Sequence, residues 1–282
     1  MMFTRSIDDY PEGIILPIDK PYRWTSADVI RKIKFAAVKH FGKKNLKVGH
    51  AGTLDPLATG LLIVCIGKAT KKAEEIQRSD KEYIAGITFG ATTPSYDLEK
   101  PIDEFYPTDK ISEDSVKEAL ESFIGEQEQI APLFSAKLSG GVRAYELARR
   151  LYRSGGKLDE EAQALLTKQK IRITGAELLK FEETGDAEHQ AVAEENSPSG
   201  RIKVSSNHGL GLPRAVVRIA CSKGTYIRAL ARDLGEALQS GAHLDSLQRT
   251  KCGNFDIEQA LSLEQALALL SKEPQTNGEQ II

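Results

Sequence analysis

The chain has 282 residues, a formal net charge of −2 and 40% hydrophobic residues, enough apolar content for a sizeable core. No stretch is long enough to span a bilayer, and the charged residues 1–10 lack the apolar segment of a secretory signal. Cys65, Cys221 and Cys252 are isolated and without metal-ligand spacing, which argues against a disulfide framework or a zinc site and for a reducing, cytoplasmic setting.

In chain order, residues 13–18 read as a strand. Thr25 with Asp28 three positions on makes a capping-box signature, and Val29, Ile33, Ala36 and Ala37 recur at helical spacing, predicting a helix to about Phe41. Gly49 to Gly60 is a loop rich in glycine and threonine that carries Asp55 and Pro56. It runs into Leu61–Ile66, a segment with no polar residue that reads as a buried strand. Its glycines permit positive φ and close backbone approach, while Pro56 fixes the chain directly after the acid. The segment can therefore present one firmly held carboxylate from a core element, as a catalytic group requires; composition alone also allows an ordinary turn. A nucleotide-phosphate loop is excluded, because Leu62 and Ala69 stand where the glycine and hydroxyl around Gly67-Lys68 would be needed.

Further on, Lys81–Thr92 alternates Tyr83, Ala85, Ile87 and Phe89 on one face, a strand pattern, and Ser112–Ile124 predicts a helix closed at Gly125. Arg143–Arg153 reads as a helix closed by Gly155-Gly156, Pro213–Ala220 as a strand, Thr225–Leu238 as a helix and Leu244–Phe255 as a strand. Ser262 with Gln265 opens a C-terminal helix, and residues 183–212 read as a polar surface insertion. The class is mixed α/β (α+β). Charge is segregated: seven basic residues and no acid lie between Val29 and Leu54, whereas acids concentrate in Ser112–Glu128 and Asp159–Glu195. Such a run is commonly a solvated helix face; leading directly into the Asp55 loop, it predicts a phosphate-contacting rim.

Gly-His-Ala-Gly-Thr-Leu-Asp-Pro-Leu-Ala-Thr-Gly-Leu-Leu, residues 49–62, resembles the signature of the TruB family of tRNA pseudouridine synthases. The likeness extends through Gly13–Pro21, Trp24-Thr25-Ser26, Gly67–Lys71, Lys81-Glu82-Tyr83, Ser135-Ala136, Cys221–Arg228, Gly241-Ala242-His243, Leu247 and Arg249, covering roughly residues 13–257. It implies a pseudouridine-synthase fold: a central mixed, mostly antiparallel sheet flanked by helices, with an active-site cleft across the sheet. The organisation expected from it is a tail at 1–12, a catalytic domain at 13–257 holding the 183–212 insertion, and a short helix and tail at 258–282 in place of the PUA domain of many relatives. The implied activity is isomerisation of uridine to pseudouridine in the tRNA T-loop, at tRNA position 55, by a cytoplasmic monomer that needs no cofactor and no metal.

By this resemblance Asp55 is the nucleophile, suited because an aspartate is ionised at neutral pH. Arg228 pairs with it, Tyr83 stacks on the target uracil and takes a proton from the sugar, and Leu247 walls the base. His50 fills space left by the extruded nucleotide, and Lys20, Gly52 and Thr53 contact substrate. Read alone, these residues would be a surface arginine, a core tyrosine and leucine, and a turn histidine. The chain departs from the family's Ser-Ala-x-Lys and Pro-Pro patterns at Ser135-Ala136-Lys137-Leu138 and Ala131-Pro132, which puts a phosphate or packing contact in question. Two other readings compete. One is a non-catalytic tRNA-binding or folding protein on the same scaffold; the other is a nucleoside or glycoside hydrolase, which generally needs a second carboxylate that the Asp55 motif does not offer.

Overall fold

The computed structural model describes residues 3–132, 138–139, 142–143, 168–185, 202 and 204–271. The expected helix beyond Arg143, the Ser135-Ala136-Lys137 departure, most of the 183–212 insertion and the end of the chain lie outside the described residues. Along the chain come β1 (Ile14–Lys20), α1 (Ser26–Phe41), β2 (Val48–His50), β3 (Ala58–Ile66), α2 (Ala73–Arg78), β4 (Lys81–Phe89), β5 (Ala91–Thr92) and β6 (Glu104–Phe105). These are followed by α3 (Glu113–Ser122), β7 (Gly125–Ile130), β8 (Leu138–Ser139), β9 (Val142–Arg143), β10 (Lys168–Glu182) and β11 (Arg214–Cys221). Last are α4 (Ile227–Ala237), β12 (Ala242–Cys252), β13 (Phe255–Asp256), β14 (Leu261–Ser262) and α5 (Leu263–Ser271). The fold is mixed α+β around a large sheet, in which β1–β14 pair parallel and β1–β3, β2–β3, β4–β11, β11–β10, β10–β7 and β12–β13 pair antiparallel.

The chain divides into two compact units. Among the described residues, the first holds 3–79 and 249–271, with strands in the order β14-β1-β3 and the last residues of β12. Leu61 to Ile66 are wholly buried, as an uninterrupted apolar run requires, and β1 pairs along β3 from Ile14 opposite Ile66 to Lys20 opposite Gly60. The predicted capping box is present: Thr25 Oγ1 accepts from Asp28 N at 3.0 Å, and Asp28 Oδ2 accepts from Thr25 N at 3.1 Å. Val29, Ile33 and Ala37 face the core, and Gly42 ends α1 in the left-handed conformation at φ 63°. His40 ties the helix to α5 and to the N-terminal segment, with its two ring nitrogens 2.9 Å from Leu270 O and 3.0 Å from Thr4 O.

The second unit holds 80–132, 138–139, 142–143, 168–185, 202 and 204–248 among the described residues, with β4, β11, β10 and β7 in that order beside the first part of β12. The polar strands β7 and β10 have no counterpart in the sequence reading, and neither do the two-residue strands β6 and β8. β7 is the polar stretch Gly-Glu-Gln-Glu-Gln-Ile, and its partner is the long, largely polar β10. In their register Glu126 lies opposite Arg172 and Glu128 opposite Lys170, so opposite charges meet across the ladder, while Ile171 and Ile173 of β10 are buried. Gly125, expected as a helix stop, is the first residue of β7, at φ 121°, and α3 ends at Ser122. Arg143, expected to begin a helix, lies in β9. The strand expected to run to Phe255 ends at Cys252, and Phe255–Asp256 folds back on it as β13.

Candidate active site

Asp55 sits in the connection between two antiparallel strands. β2 pairs with β3, with His50 opposite Val64, and Ala51 N donates to Ile63 O at 2.9 Å, so residues 52–57 form the closed end of the ladder. Gly52 has φ 93°, a conformation open to few other residues. On the near side of the acid, Ser26 Oγ donates to Leu54 O at 3.1 Å and accepts from Leu54 N at 2.9 Å. On the far side, Ala58 N donates to Asp55 O at 3.1 Å, closing a turn with Pro56 at its second position. The backbone on either side of the half-buried Asp55 is thus fixed.

Two buried cations brace the loop. Arg249, 1% exposed, donates from Nε to Leu61 O at 2.7 Å and from Nη2 to Gly52 O at 3.2 Å, joining the loop's start to the strand after it. Lys20 has no exposed surface and points its ammonium at Trp24 O (2.6 Å), Pro21 O (2.9 Å) and Pro56 O (3.3 Å). All three of its donors therefore end on backbone carbonyls. Burial pulls the Lys20 amine down to about 7, opposed by the negative charges of Asp55 and Asp19. Thr53 is exposed and Gly52 half-buried.

His50 ends β2 with its Nδ1 buried and without a hydrogen-bond partner. Burial, then the nearby Arg249 charge, hold its pKa below the ordinary histidine value, with a backbone contact to Gly52 pulling the other way. Both the burial and the Arg249 charge thus favour the uncharged ring. Lys20, His50, Gly52, Thr53 and Asp55 all belong to the first unit.

Tyr83, Arg228 and Leu247 belong to the second unit. Tyr83 lies on β4 opposite Ile219 of β11 and is 9% exposed; Leu247 is half-buried on β12. Arg228 is the second residue of α4 and is 4% exposed. Its Nη1 donates to Ser95 O at 3.0 Å, and its Nε lies 3.6 Å from Asp97 Oδ2. The loop it grips is knotted on itself: Thr93 Oγ1 and Ser95 Oγ donate to Asp97 O at 2.7 and 3.1 Å, and Asp97 Oδ1 accepts from Glu99 N at 2.9 Å. The start of α4 is docked by Gln129, whose side-chain amide exchanges bonds with Tyr226 N (2.9 Å) and Tyr226 O (3.1 Å). Sequence reasoning gave no role to Ser26, Gln129 or Arg249. A buried arginine next to the glycine loop would have been found only by knowing that β12 returns beside β3.

The chain is similar to known proteins along most of its length. The family model described as TruB family pseudouridylate synthase (N terminal domain) matches residues 38–227. A model described as tRNA pseudouridylate synthase B C-terminal domain matches residues 228–280. The chain belongs to the TruB family of pseudouridylate synthases. Among TruB relatives, the tRNA pseudouridine synthase B of Phocaeicola vulgatus is 47% identical over 256 residues, 91% of this chain and 92% of the relative. That of Flavobacterium johnsoniae is 40% identical over 257 residues, 91% and 95% of the two chains. A solved Cbf5–Nop10–Gar1 complex contains a chain that superposes with a TM-score of 0.59 at 23% identity, over 93% of this chain. This TruB chain spans only 56% of that one, and the likeness speaks for the fold alone. The same holds for the structure of an H/ACA ribonucleoprotein bound to a substrate RNA containing 2'-deoxyuridine, at a TM-score of 0.57, 21% identity, and 95% and 57% coverage.

Proposed function

We propose that the chain converts uridine to pseudouridine in the T-loop of tRNA, at tRNA position 55, with Asp55 as the nucleophile. The reaction breaks the bond from uracil N1 to ribose C1′ and forms one from C5 to the same carbon. C5 loses a proton and N1 gains one, so nothing is oxidised and no cofactor is consumed. The observation that carries this reading is the double clasp on the Asp55 loop through Ser26 and Arg249, which holds the backbone that presents this one carboxylate. An acid presented in this way suits attack on a substrate carbon better than a solvated turn residue does.

In this reading Arg228 supplies the positive charge that supports the nucleophile. Tyr83 stacks on the uracil and moves a proton from the sugar, and Leu247 completes the apolar wall. Reaching a base inside a folded RNA requires its extrusion, at about a few kcal/mol. His50, at the end of β2 where the loop begins, takes the place of the missing stacking partner. The basic run from Arg31 to Lys47, with Lys68 and Lys71 across a groove from Lys43 and Lys47, receives the RNA backbone. A tRNA transcript tritiated at uridine C5 tests the chemistry. Tritium release without free uracil supports the isomerase; free uracil would indicate a hydrolase, and tight binding with neither product an RNA-binding protein.

A further inference from the structure

Phe35 is 76% exposed, more than any other large hydrophobic side chain among the described residues. A single exposed apolar residue is unremarkable by itself; its surroundings set this one apart. It lies on the face of α1 opposite the Val29, Ile33 and Ala37 stripe. Arg31 and Lys32 precede it by four and three positions, Lys34 is its neighbour, Lys39 follows by four, and all four are exposed. The one acid within this stretch of helix, Asp28, is already engaged by the N-cap and by Arg31 at 2.8 Å. Other exposed apolar side chains are set differently: Phe105, for example, adjoins Glu104 and Asp103.

A lysine-rich setting is unlike the core of a protein interface, where lysine is depleted. It matches single-stranded nucleic acid, where cations track the phosphates and an aromatic ring receives a base. Lys34 also lines a groove with Lys44 and Lys47, so the basic surface continues from the helix toward the β2 strand. Phe35 is nine residues along α1 from Ser26, the residue that clasps the Asp55 loop, or about 13 Å at the helical rise. A base stacked there is a different nucleotide from the one that reaches Asp55.

We propose that Phe35, flanked by Arg31, Lys32 and Lys39, is a stacking platform for a second, unpaired base of the substrate RNA. This rests on the RNA-substrate reading above, and it adds a contact that reads an unstacked nucleotide outside the catalytic pocket.

The test is equilibrium binding of a full-length unmodified tRNA transcript to the wild type, Phe35→Ala, Phe35→Trp and Lys39→Ala over a range of salt concentrations, with pseudouridine formation followed alongside. Phe35→Ala is expected to weaken binding about tenfold with no change in salt dependence, and Phe35→Trp to preserve it. Lys39→Ala is expected to lower the salt slope by about one. Equal tRNA affinity for the wild type and Phe35→Ala, with modification intact, would overturn this inference alone. So would a change in sedimentation of Phe35→Ala, which would make the face a contact between copies. Failure of the wild type to bind or modify tRNA would remove the substrate reading, and this inference with it.

Discussion

Lys20 illustrates how a side chain that sequence reasoning assigns to substrate can serve the backbone. Its amine is depressed to about 7 by burial, while in the unfolded chain it titrates near about 10.4. Between those values the unfolded chain binds more protons than the folded one, so this residue makes stability rise with pH across that window and contributes no pH dependence below it. Chemical denaturation of the wild type and Lys20→Met should therefore show a stability difference that shifts in favour of the wild type from about pH 7 to about 10. A constant difference would mean that Lys20 titrates normally. Arg249 works by geometry instead. Arg249→Lys keeps the charge but cannot reach Leu61 O and Gly52 O together, and should cost about 2 kcal/mol in a urea titration, with a larger loss in kcat than in KM. At this scale the Asp55 loop was legible because its glycines, proline and lone acid are contiguous. Arg249 was not, because its partner Leu61 is 188 positions away.

Elements with a local signal were read well. The Thr25–Asp28 box predicts the start of α1, and the Ser262–Gln265 pair that predicts α5 is present as reciprocal bonds of 2.8 and 3.1 Å. β7 and β10 escaped because β7 offers a single apolar residue and β10 alternates only over Ile171 and Ile173, while the charges that match across the pair lie on two separate segments. A second non-local feature lies over Gly86 of β4. Asp245 accepts from Arg214 Nε at 2.7 Å and Nη2 at 3.0 Å and from Thr88 Oγ1 at 2.7 Å. Asn207 links Thr88 to the buried His243 at 3.1 and 3.2 Å. Gly86 is needed because a methyl there would meet Asp245, Ser246 and Arg214 at once. Asp245→Asn, which leaves a buried guanidinium short of its counter-charge, should lower stability by about 3 kcal/mol in chemical denaturation. A loss below about 1 kcal/mol would show that water or Glu182 replaces the carboxylate.

For the whole molecule, the net charge of −2 conceals its most useful electrostatic property. The outer face of α1 and the segment Lys43–Lys47 are basic, while acids sit on α3 and β7. Affinity for RNA should accordingly fall steeply with salt despite the acidic balance. Replacing Lys43, Lys44 and Lys47 together by alanine should lower the slope of log affinity against log salt by about two to three, and an unchanged slope would place the RNA elsewhere. The mixed class was accessible from the succession of predicted elements, but strand order was not, because paired strands such as β1 and β14 or β4 and β11 lie far apart in the chain. The central claim is that Asp55 performs the chemistry, and it is tested most directly by site-resolved mapping of pseudouridine in an unmodified tRNA transcript after incubation with the wild type or Asp55→Asn. The account predicts modification at tRNA position 55 by the wild type, and none by Asp55→Asn despite comparable tRNA binding. Modification by Asp55→Asn at the wild-type rate would contradict it.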